Sequence, residues 1–374
     1  MVGKRVAVVV GGSVAGLACA HAVAEAGWEA VVVEKAAAPG AGSGTGAGLG
    51  LDAQSMEALA RWIPGRLDAA TLPLAVDLNR ATDGETKAGR TLTRDEGFGF
   101  RAAHWGDLHR RLHEALPAGV TVLWGHQFVS FETAPEDGDG DGEGGVVVTA
   151  RVLRTGETVE VAGDLLVAAD GCTSAIRRRF LPELKLRYSG YCAWRGVFDF
   201  TGKEGCTTMV SEATVSEMKE EAERVWCPEL ARLISETAEP FVNVIYDAEP
   251  LPRLSWCGGR VALVGDAAHP TTPHGLRSTN MSIVDARVLG CCLARRGDAE
   301  TTPRRALAEY EAARRPVVAA QVLHARRLGW LKQGLGMGSA GDGEGFDART
   351  ATEEEISQLR QSSMPYFSGA PTTE

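Results

Sequence analysis

Three stretches, far apart in the chain, carry the residues best suited to chemistry. They are Gly11-Gly12-Ser13-Val14-Ala15-Gly16 with Glu34, the pair Asp170-Gly171, and Gly265-Asp266-Ala267 with the turn from Pro273 to Asn280. Small residues in the first stretch allow a tight turn and the close approach of an anion. Glu34 stands 23 residues after Gly11, the separation at which a carboxylate accepts from the ribose hydroxyls of a dinucleotide. Ser13 takes the second glycine position of the pattern G-x-G-x-x-G, and its small side chain still leaves room for phosphate.

These residues need particular elements to position them. Val6 to Val10 is β-branched apart from one Ala, too short for a buried helix and suited to a central parallel strand. A helix is predicted over Leu17 to Ala26, ended by Gly27, and a second strand over Ala30 to Val33. The helix N-terminus then offers free N–H groups and a positive dipole end to a pyrophosphate. Leu165 to Ala169 and Val261 to Val264 read as further buried strands, and each runs directly into one of the Asp motifs. Ligands of parallel sheets sit beyond the carboxyl ends of the strands, where both aspartates are expected to project.

In this order, VAVVVGGSVAGLACAHAVAEAGWEAVVVEK (6–35), DLLVAADGCTSAIR (164–177) and RVALVGDAAHPTTPHGLRSTN (260–280) resemble the single-component FAD-dependent aromatic hydroxylases. These are flavoprotein monooxygenases of the p-hydroxybenzoate, salicylate and 2,6-dihydroxypyridine hydroxylase types. The resemblance spans about residues 4–320, and YSGYCAWRG (188–196) is similar to the dihydroxypyridine branch. It implies an α/β fold: a Rossmann-like FAD-binding domain, a shortened mixed β-sheet substrate domain and C-terminal helices. The FAD-binding domain would be discontinuous over 1–70, 95–185 and 255–310, with the substrate domain in 71–94 and 186–254. Residues 311–374 would form a C-terminal helix and flexible tail.

Carried over by position, the resemblance implies that Gly11, Gly12, Ser13, Val14, Ala15 and Gly16 hold the pyrophosphate and Glu34 the adenosine ribose. Lys35 and Phe128 join the cofactor site. Asp170 and Gly171 lie near the pyrophosphate; Gly265, Asp266 and Ala267 serve the ribityl chain; and Pro273, Arg277, Ser278, Thr279 and Asn280 lie along the flavin ring. Two departures stand out. Leu276-Arg277-Ser278-Thr279 replaces the family's G-x-G before Asn280, so that Arg277 is the candidate to stabilise a reduced, anionic flavin. Trp105 stands at the family's flavin-contacting Arg, for which Arg101 is the candidate substitute. His274 and Arg195 are the candidate catalytic residues, each with a bland counterpart as a surface-loop His and a structural Arg.

The implied reaction is a monooxygenation. NADPH or NADH reduces FAD, O2 adds to give a flavin hydroperoxide, and its terminal oxygen passes to a small aromatic substrate, phenolic or a hydroxylated N-heteroaromatic. The protein contributes positioning, electrostatics and exclusion of water. Two other readings are a flavin oxidoreductase without oxygen insertion and a shortened, non-catalytic flavin-fold protein. No Ser/His/Asp or paired-carboxylate constellation supports hydrolysis.

Composition bounds these readings. The chain has 374 residues, 44% of them hydrophobic, enough for more than one domain. Its net charge of −10 comes from Glu136–Glu143 and Gly341–Glu374, so the remaining body is neutral and shows no bias toward nucleic acid or an acidic membrane surface. Eight cysteines without zinc-site or C-x-x-C spacing read as buried thiols in a reducing, cytoplasmic setting, Cys172 alone being expected near the cofactor. No apolar run reaches the ~18 residues of a membrane span. The first strand starts close to Met1, an arrangement expected to leave no room for a leader peptide. Nothing in the sequence sets an oligomeric state.

The acidic run 135–145 has Val148 where a calcium loop needs its bidentate Glu, so it is expected to be a flexible loop between strands 129–131 and 146–152. Segments 72–80, 89–93 and 186–200 have strand character. The 71 residues from Arg195 to Asp266 hold a helical stretch, Ala213 to Thr237, and a single good strand, Phe241 to Tyr246. The substrate sheet is therefore expected to be cut down, with an exposed edge. A basic helix from Pro303 to Trp330 is expected to present Arg304, Arg305, Arg314, Arg315, Arg326 and Arg327 to solvent. A Gly-rich stretch and a short acidic helix near 352–360 should be loosely attached.

Overall fold

The Val6–Val10 run forms strand β1 in the middle of a six-stranded sheet and is buried over all but its first residue. The computed structural model describes residues 4–39, 48–65, 67–83, 85–133, 145–196, 212–237, 240–294, 302–335 and 345–371. On one side of β1 lie β2 (Glu29–Glu34) and then β6 (Val120–Trp124). On the other lie β10 (Leu165–Ala168), β14 (Val261–Leu263) and the short antiparallel edge β13 (Ser255–Trp256). The chain thus builds outward from β1 in one direction and later returns to build in the other. That reversal opens a crevice beyond the carboxyl ends of β1 and β10.

Helix α1 (Val14–Glu25) starts three residues earlier than its apolar periodicity suggests, because Ser13 takes the N-cap position directly after the turn. It is rich in small residues because it is covered on two sides, by the sheet and by α7 (Arg277–Leu293). At the crossing, a Cβ on Gly290 would lie 2.8 Å from the Ala22 carbonyl oxygen, so glycine is what allows this approach. Leu17, Ala18, Val23, Ile283 and Leu289 are fully buried there. Each large apolar side chain so buried contributes about 1.5–3 kcal/mol.

Three smaller antiparallel sheets surround this centre. Strands β3 (Gly48–Leu51), β5 (Gly89–His104) and β4 (Thr71–Thr82) form one, flanked by α2 (Ala53–Trp62) and α3 (Trp105–Glu114). The strand expected over 89–93 continues unbroken to His104, carrying the chain straight into α3. Strands β7 (His126–Thr133), β8 (Val146–Val152) and β9 (Thr158–Gly163) form another. The acidic run that separates β7 from β8 lies outside the described residues except for Gly145. Among the described residues, no group of His, Cys, Asp and Glu is arranged to hold a metal ion, and no helix is long and apolar enough to cross a membrane.

The third sheet pairs β11 (Arg187–Arg195) with β12 (Phe241–Asp247) alone, among the described residues. Between them the expected single helix is two, α5 (Glu212–Val225) and α6 (Pro228–Ser235), because Pro228 cannot continue a helix and instead opens the second one. The short α4 (Ala175–Phe180) follows the Asp170 motif.

The C-terminal part corrects two expectations. Helix α8 (Pro303–Lys332) does not present all its arginines to water: Arg314 is 1% exposed and Arg326 7%. Both are drawn inward by buried carboxylates, Arg314 by Asp285 at 2.7 Å and Arg326 by Asp247. Nor is the acidic helix α9 (Glu353–Ser357) loosely attached. It begins with a reciprocal capping box between Thr352 and Glu355, and the chain after it buries Leu359 and Met364. Gln54 then ties down Ala370 through two hydrogen bonds of 2.8 and 3.0 Å. Among the described residues Cys19, Cys227 and Cys292 are buried as expected, whereas Cys192 on β11 is exposed, and so is Cys172, which follows the Asp170-Gly171 turn at the open end of the sheet.

Candidate functional site

The crevice at the carboxyl ends of β1, β2, β10 and β14 gathers Gly11–Gly16, Glu34, Asp170-Gly171 and Gly265–Ala267. Gly11 adopts φ +107°, and a Cβ there would lie 2.3 Å from the Ala169 carbonyl oxygen. A Cβ on Gly16 would lie 1.8 Å from the Gly11 carbonyl oxygen. Both positions therefore demand glycine, the first for its dihedral and the second for space. The first intrahelical hydrogen bond of α1 runs from Leu17 N–H to the Ser13 carbonyl at 2.9 Å. The N–H groups of Val14, Ala15 and Gly16 precede it and have no intrahelical acceptor. The Ser13 side chain is exposed and makes no capping bond. A helix N-terminus open in this way is suited to phosphate.

Glu34 already has backbone partners within the protein. Its Oε2 accepts from Gly12 N–H at 2.6 Å and its Oε1 from Ala36 N–H at 2.8 Å, which locks the glycine turn to the end of β2. Asp170 Oδ2 accepts from the Ala175 and Ile176 N–H groups at 2.8 and 3.2 Å, capping α4. Its Oδ1 is sealed from solvent with no hydrogen-bond partner. Asp266 Oδ1 accepts from Ser278 Oγ at 2.7 Å, which aims its carboxylate. Gly265, at φ +58°, packs against the first turn of α1, since a Cβ there would come within 2.9 Å of Ala15 Cβ.

Arg177, which the motif reading passed over, joins the second and third stretches. Its Nη1 donates to the Ala267 and Asp266 carbonyls at 2.9 and 3.2 Å, and its Nη2 to the Cys172 carbonyl. The legible signal is its place three residues after Ser174, whose Oγ caps α4 by accepting from Arg177 N–H. The Gly265 N–H is held by Asp285, a buried carboxylate that also binds His269 at 2.6 Å. Burial opposes ionisation of Asp285, but His269 and Arg314 outweigh it and hold the carboxyl at about 2.

Beyond Asp266 the chain turns through Pro273 and Gly275 into Leu276, whose φ of +54° is in the left-handed region. The Leu276 side chain fits over Gly50, where a Cβ would lie 2.5 Å from Leu276 Cδ1. Asn280 braces the turn by donating to the Gly50 carbonyl at 2.7 Å and accepting from Asp52 N–H at 2.9 Å. Arg277 is 2% exposed, paired with Asp52 at 3.0 Å, with its guanidinium 5.3 Å from the Phe100 ring centre. Its Nη2 has no hydrogen-bond partner. Side chains thus stiffen a turn that the resemblance would have left to glycines.

His274 opens that turn, 5.5 Å from the Tyr191 ring on β11. Burial, and then Lys332, pull His274 down to about 4; burial pushes Tyr191 up to about 12. Both are therefore neutral at neutral pH. His274 Nε2, Ser189 Oγ and Thr271 Oγ1 are sealed from solvent without a hydrogen-bond partner, and the buried Tyr191 hydroxyl faces Thr272. Arg195 is half-buried at the far end of β11, opposite Phe241, and its charge acts on Tyr191.

Other sequence candidates find other surroundings. Arg101 donates to Thr71 Oγ1 at 2.6 Å and to its carbonyl at 3.1 Å, with Asp68 at 3.5 Å. It borders a cleft of about 470 Å³ against α2, lined also by Met56 and Leu67 and by no residue of the glycine turn. Lys35 is exposed, Phe128 packs into the main core, and Thr279 is half-buried on the first turn of α7.

The residues present fit FAD. Two glycines hold a turn no other residue could make, a helix N-terminus is open, and Asp170 keeps a buried oxygen without a partner. The FAD binding domain family matches residues 4–228 and 253–325. The chain is 30% identical over 243 residues to 6-hydroxynicotinate 3-monooxygenase of Pseudomonas fluorescens, covering 54% of this chain but only 58% of that protein. It is 30% identical over 354 residues to the 3-amino-4-hydroxybenzoate 2-monooxygenase PtnB3 of Streptomyces platensis, covering 83% and 84%. The structure of Klebsiella pneumoniae HpxO complexed with FAD and uric acid aligns with a TM-score of 0.72 and 22% identity, over 96% of this chain and 95% of that one, a likeness of fold.

Proposed function

Since the chain belongs to the FAD binding domain family, we propose that it is a monooxygenase that uses FAD and NADPH or NADH to hydroxylate a small aromatic molecule, phenolic or a hydroxylated N-heteroaromatic. One observation carries the substrate class. Three buried polar atoms without protein partners, on Ser189, Thr271 and His274, lie on two short segments that meet at the Tyr191–His274 contact. Leaving such groups unpaired costs about 1–3 kcal/mol each, so their clustering calls for a ligand with several polar atoms. The names of the relatives point the same way, toward hydroxylated nicotinate and amino-hydroxybenzoate.

Within this reading, the Ser13 hydroxyl and the first N–H groups of α1 receive the pyrophosphate, and Glu34 the adenosine ribose. Asp266, aimed by Ser278, receives the ribityl chain. Bound FAD supplies electron transfer from the nicotinamide to O2 and, from there, one oxygen atom for the substrate. The protein's own work is to orient the ring to be hydroxylated and to keep water out. Neutral His274 accepts a hydrogen bond from a substrate hydroxyl at Nε2, and the Tyr191 hydroxyl donates to a second ring substituent. Arg195 supplies positive potential beside them. A reducing, cytoplasmic setting suits the free thiols, and neither nucleic acid nor a membrane is needed.

The test is the absorbance spectrum of the purified protein, then anaerobic bleaching by NADPH, then a screen of hydroxylated N-heteroaromatics and phenols. The expected result is bound FAD, and NADPH consumption that a substrate stimulates with formation of a singly oxygenated product. Turnover without such a product would make the protein an oxidoreductase that inserts no oxygen. Failure to bind added FAD would leave a non-catalytic flavin fold.

A further inference from the structure

The peptide groups on both sides of Gly12 are gripped, and by different elements. Gly12 N–H donates to Glu34 Oε2 at 2.6 Å, while the Gly12 carbonyl accepts from His109 Nε2, on α3, at 2.8 Å. A carbonyl has no proton to give, so this contact requires the proton on Nε2. His109 is 4% exposed. Its ring is held between aromatic neighbours: Trp105 stacks on it at 5.0 Å and 13°, and Trp124 meets it edge-on at 6.4 Å.

In a planar trans peptide the C=O and the following N–H point in opposite directions. Anchoring Gly12 N–H on Glu34 therefore turns the Gly11 carbonyl the other way, toward α1, which is where the close approach to Gly16 is found. By the same geometry, anchoring the Gly12 carbonyl on His109 turns Ser13 N–H away from α3. Among the described residues Ser13 N–H has no protein acceptor, and it stands beside the open N–H groups of the first turn of α1.

We propose that His109 is a positioning residue for FAD: by holding the Gly12 carbonyl it presents Ser13 N–H as a donor to the pyrophosphate, and Trp105 keeps the imidazole in register. The role rests on the family's cofactor but concerns His109, which lies in none of the cofactor stretches, and gives Trp105, at the family's flavin-contacting position, a part played through His109. His109 does not touch the reacting atoms.

The experiment is titration of the apoprotein with FAD, read by quenching of flavin fluorescence, in the wild type and in His109→Phe, His109→Gln, Trp105→Phe and Trp105→Leu. Phe keeps the ring but loses the donor; Gln restores an N–H donor. His109→Phe should bind FAD about tenfold more weakly, the size of one net hydrogen bond, while His109→Gln recovers most of the loss. Trp105→Leu should weaken binding and Trp105→Phe should not. Far-UV circular dichroism checks that each variant folds, and if His109→Phe does not, the Trp105 pair decides. Binding by His109→Phe within about twofold of wild type, equal losses in His109→Phe and His109→Gln, or equal binding by the two Trp105 variants would overturn the role. A wild type that fails to bind FAD would instead remove the cofactor reading itself.

Discussion

Replacing Asp285 by Asn should destabilise this protein more than almost any other single polar substitution. Asp285 is fully buried on α7, with Oδ1 on Arg314 Nε at 2.7 Å and Oδ2 shared by His269 and Gly265 N–H at 2.6 and 3.0 Å. It thus joins α7, α8 and the turn that carries Asp266. Asn would leave Arg314, itself 1% exposed, as a buried cation without its carboxylate. Breaking a buried pair from one side costs about 3–5 kcal/mol. The same pair makes stability depend on pH: His269 and Arg314 hold the carboxyl at about 2, below its ordinary 3.8, a contribution on the order of 2 kcal/mol. The folded-state value is depressed, so this contribution is complete above pH 4 and is lost as pH falls toward 2. Urea unfolding followed by circular dichroism should show Asp285→Asn weakened by about 3 kcal/mol or more, with a gap from wild type that is constant from about pH 5 to 8 and narrows below pH 4. The double variant Asp285→Leu/Arg314→Met removes both charges and should recover much of the loss. A single-variant cost under about 1 kcal/mol, or a double variant no more stable than the single, would refute the assignment of a structural ion pair.

Gly16→Ala should abolish flavin retention, because its Cβ would lie 1.8 Å from the Gly11 carbonyl oxygen and neither backbone can yield; the flavin-to-protein absorbance ratio after purification reads this directly. With His274 held at about 4, its imidazole is neutral throughout the physiological range. The ratio of wild-type to His274→Gln kcat/KM should therefore stay flat above about pH 6, and a step centred near pH 6.5 would contradict it. Phe367→Ala removes a ring that stacks on Phe100 and Phe98 at 5.7 and 6.2 Å. It should speed limited proteolysis of the C-terminal tail and lower stability by about 1–2 kcal/mol, as expected of a partly buried aromatic.

Much of the cofactor half was legible in the sequence, since its signals are local. A β-branched run, small residues with the right spacing and an acid at the end of the next strand are each confined to a few positions. The backbone constraints behind them, φ +107° at Gly11 and the contact at Gly16, can be met only by glycine. Strand β12 was readable for the same reason, and Pro228 could have been read as the start of a second helix.

What no local pattern announced depends on residues far apart in the chain. Arg314 and Arg326 read as part of a solvated basic face, because their counterions Asp285 and Asp247 lie 29 and 79 residues away. His109 meets Gly12 across 97 residues, and Arg277 meets Asp52 across 225. The sequence by itself determined the strand–turn–helix units and the residue types at the glycine turn, because sterics and hydrogen bonding act there between neighbours. Only the tertiary structure decided which buried charges are paired, which polar atoms stay without partners, and which side chains brace the turn. Those outcomes follow from desolvation, which acts on a group only once distant segments have closed over it.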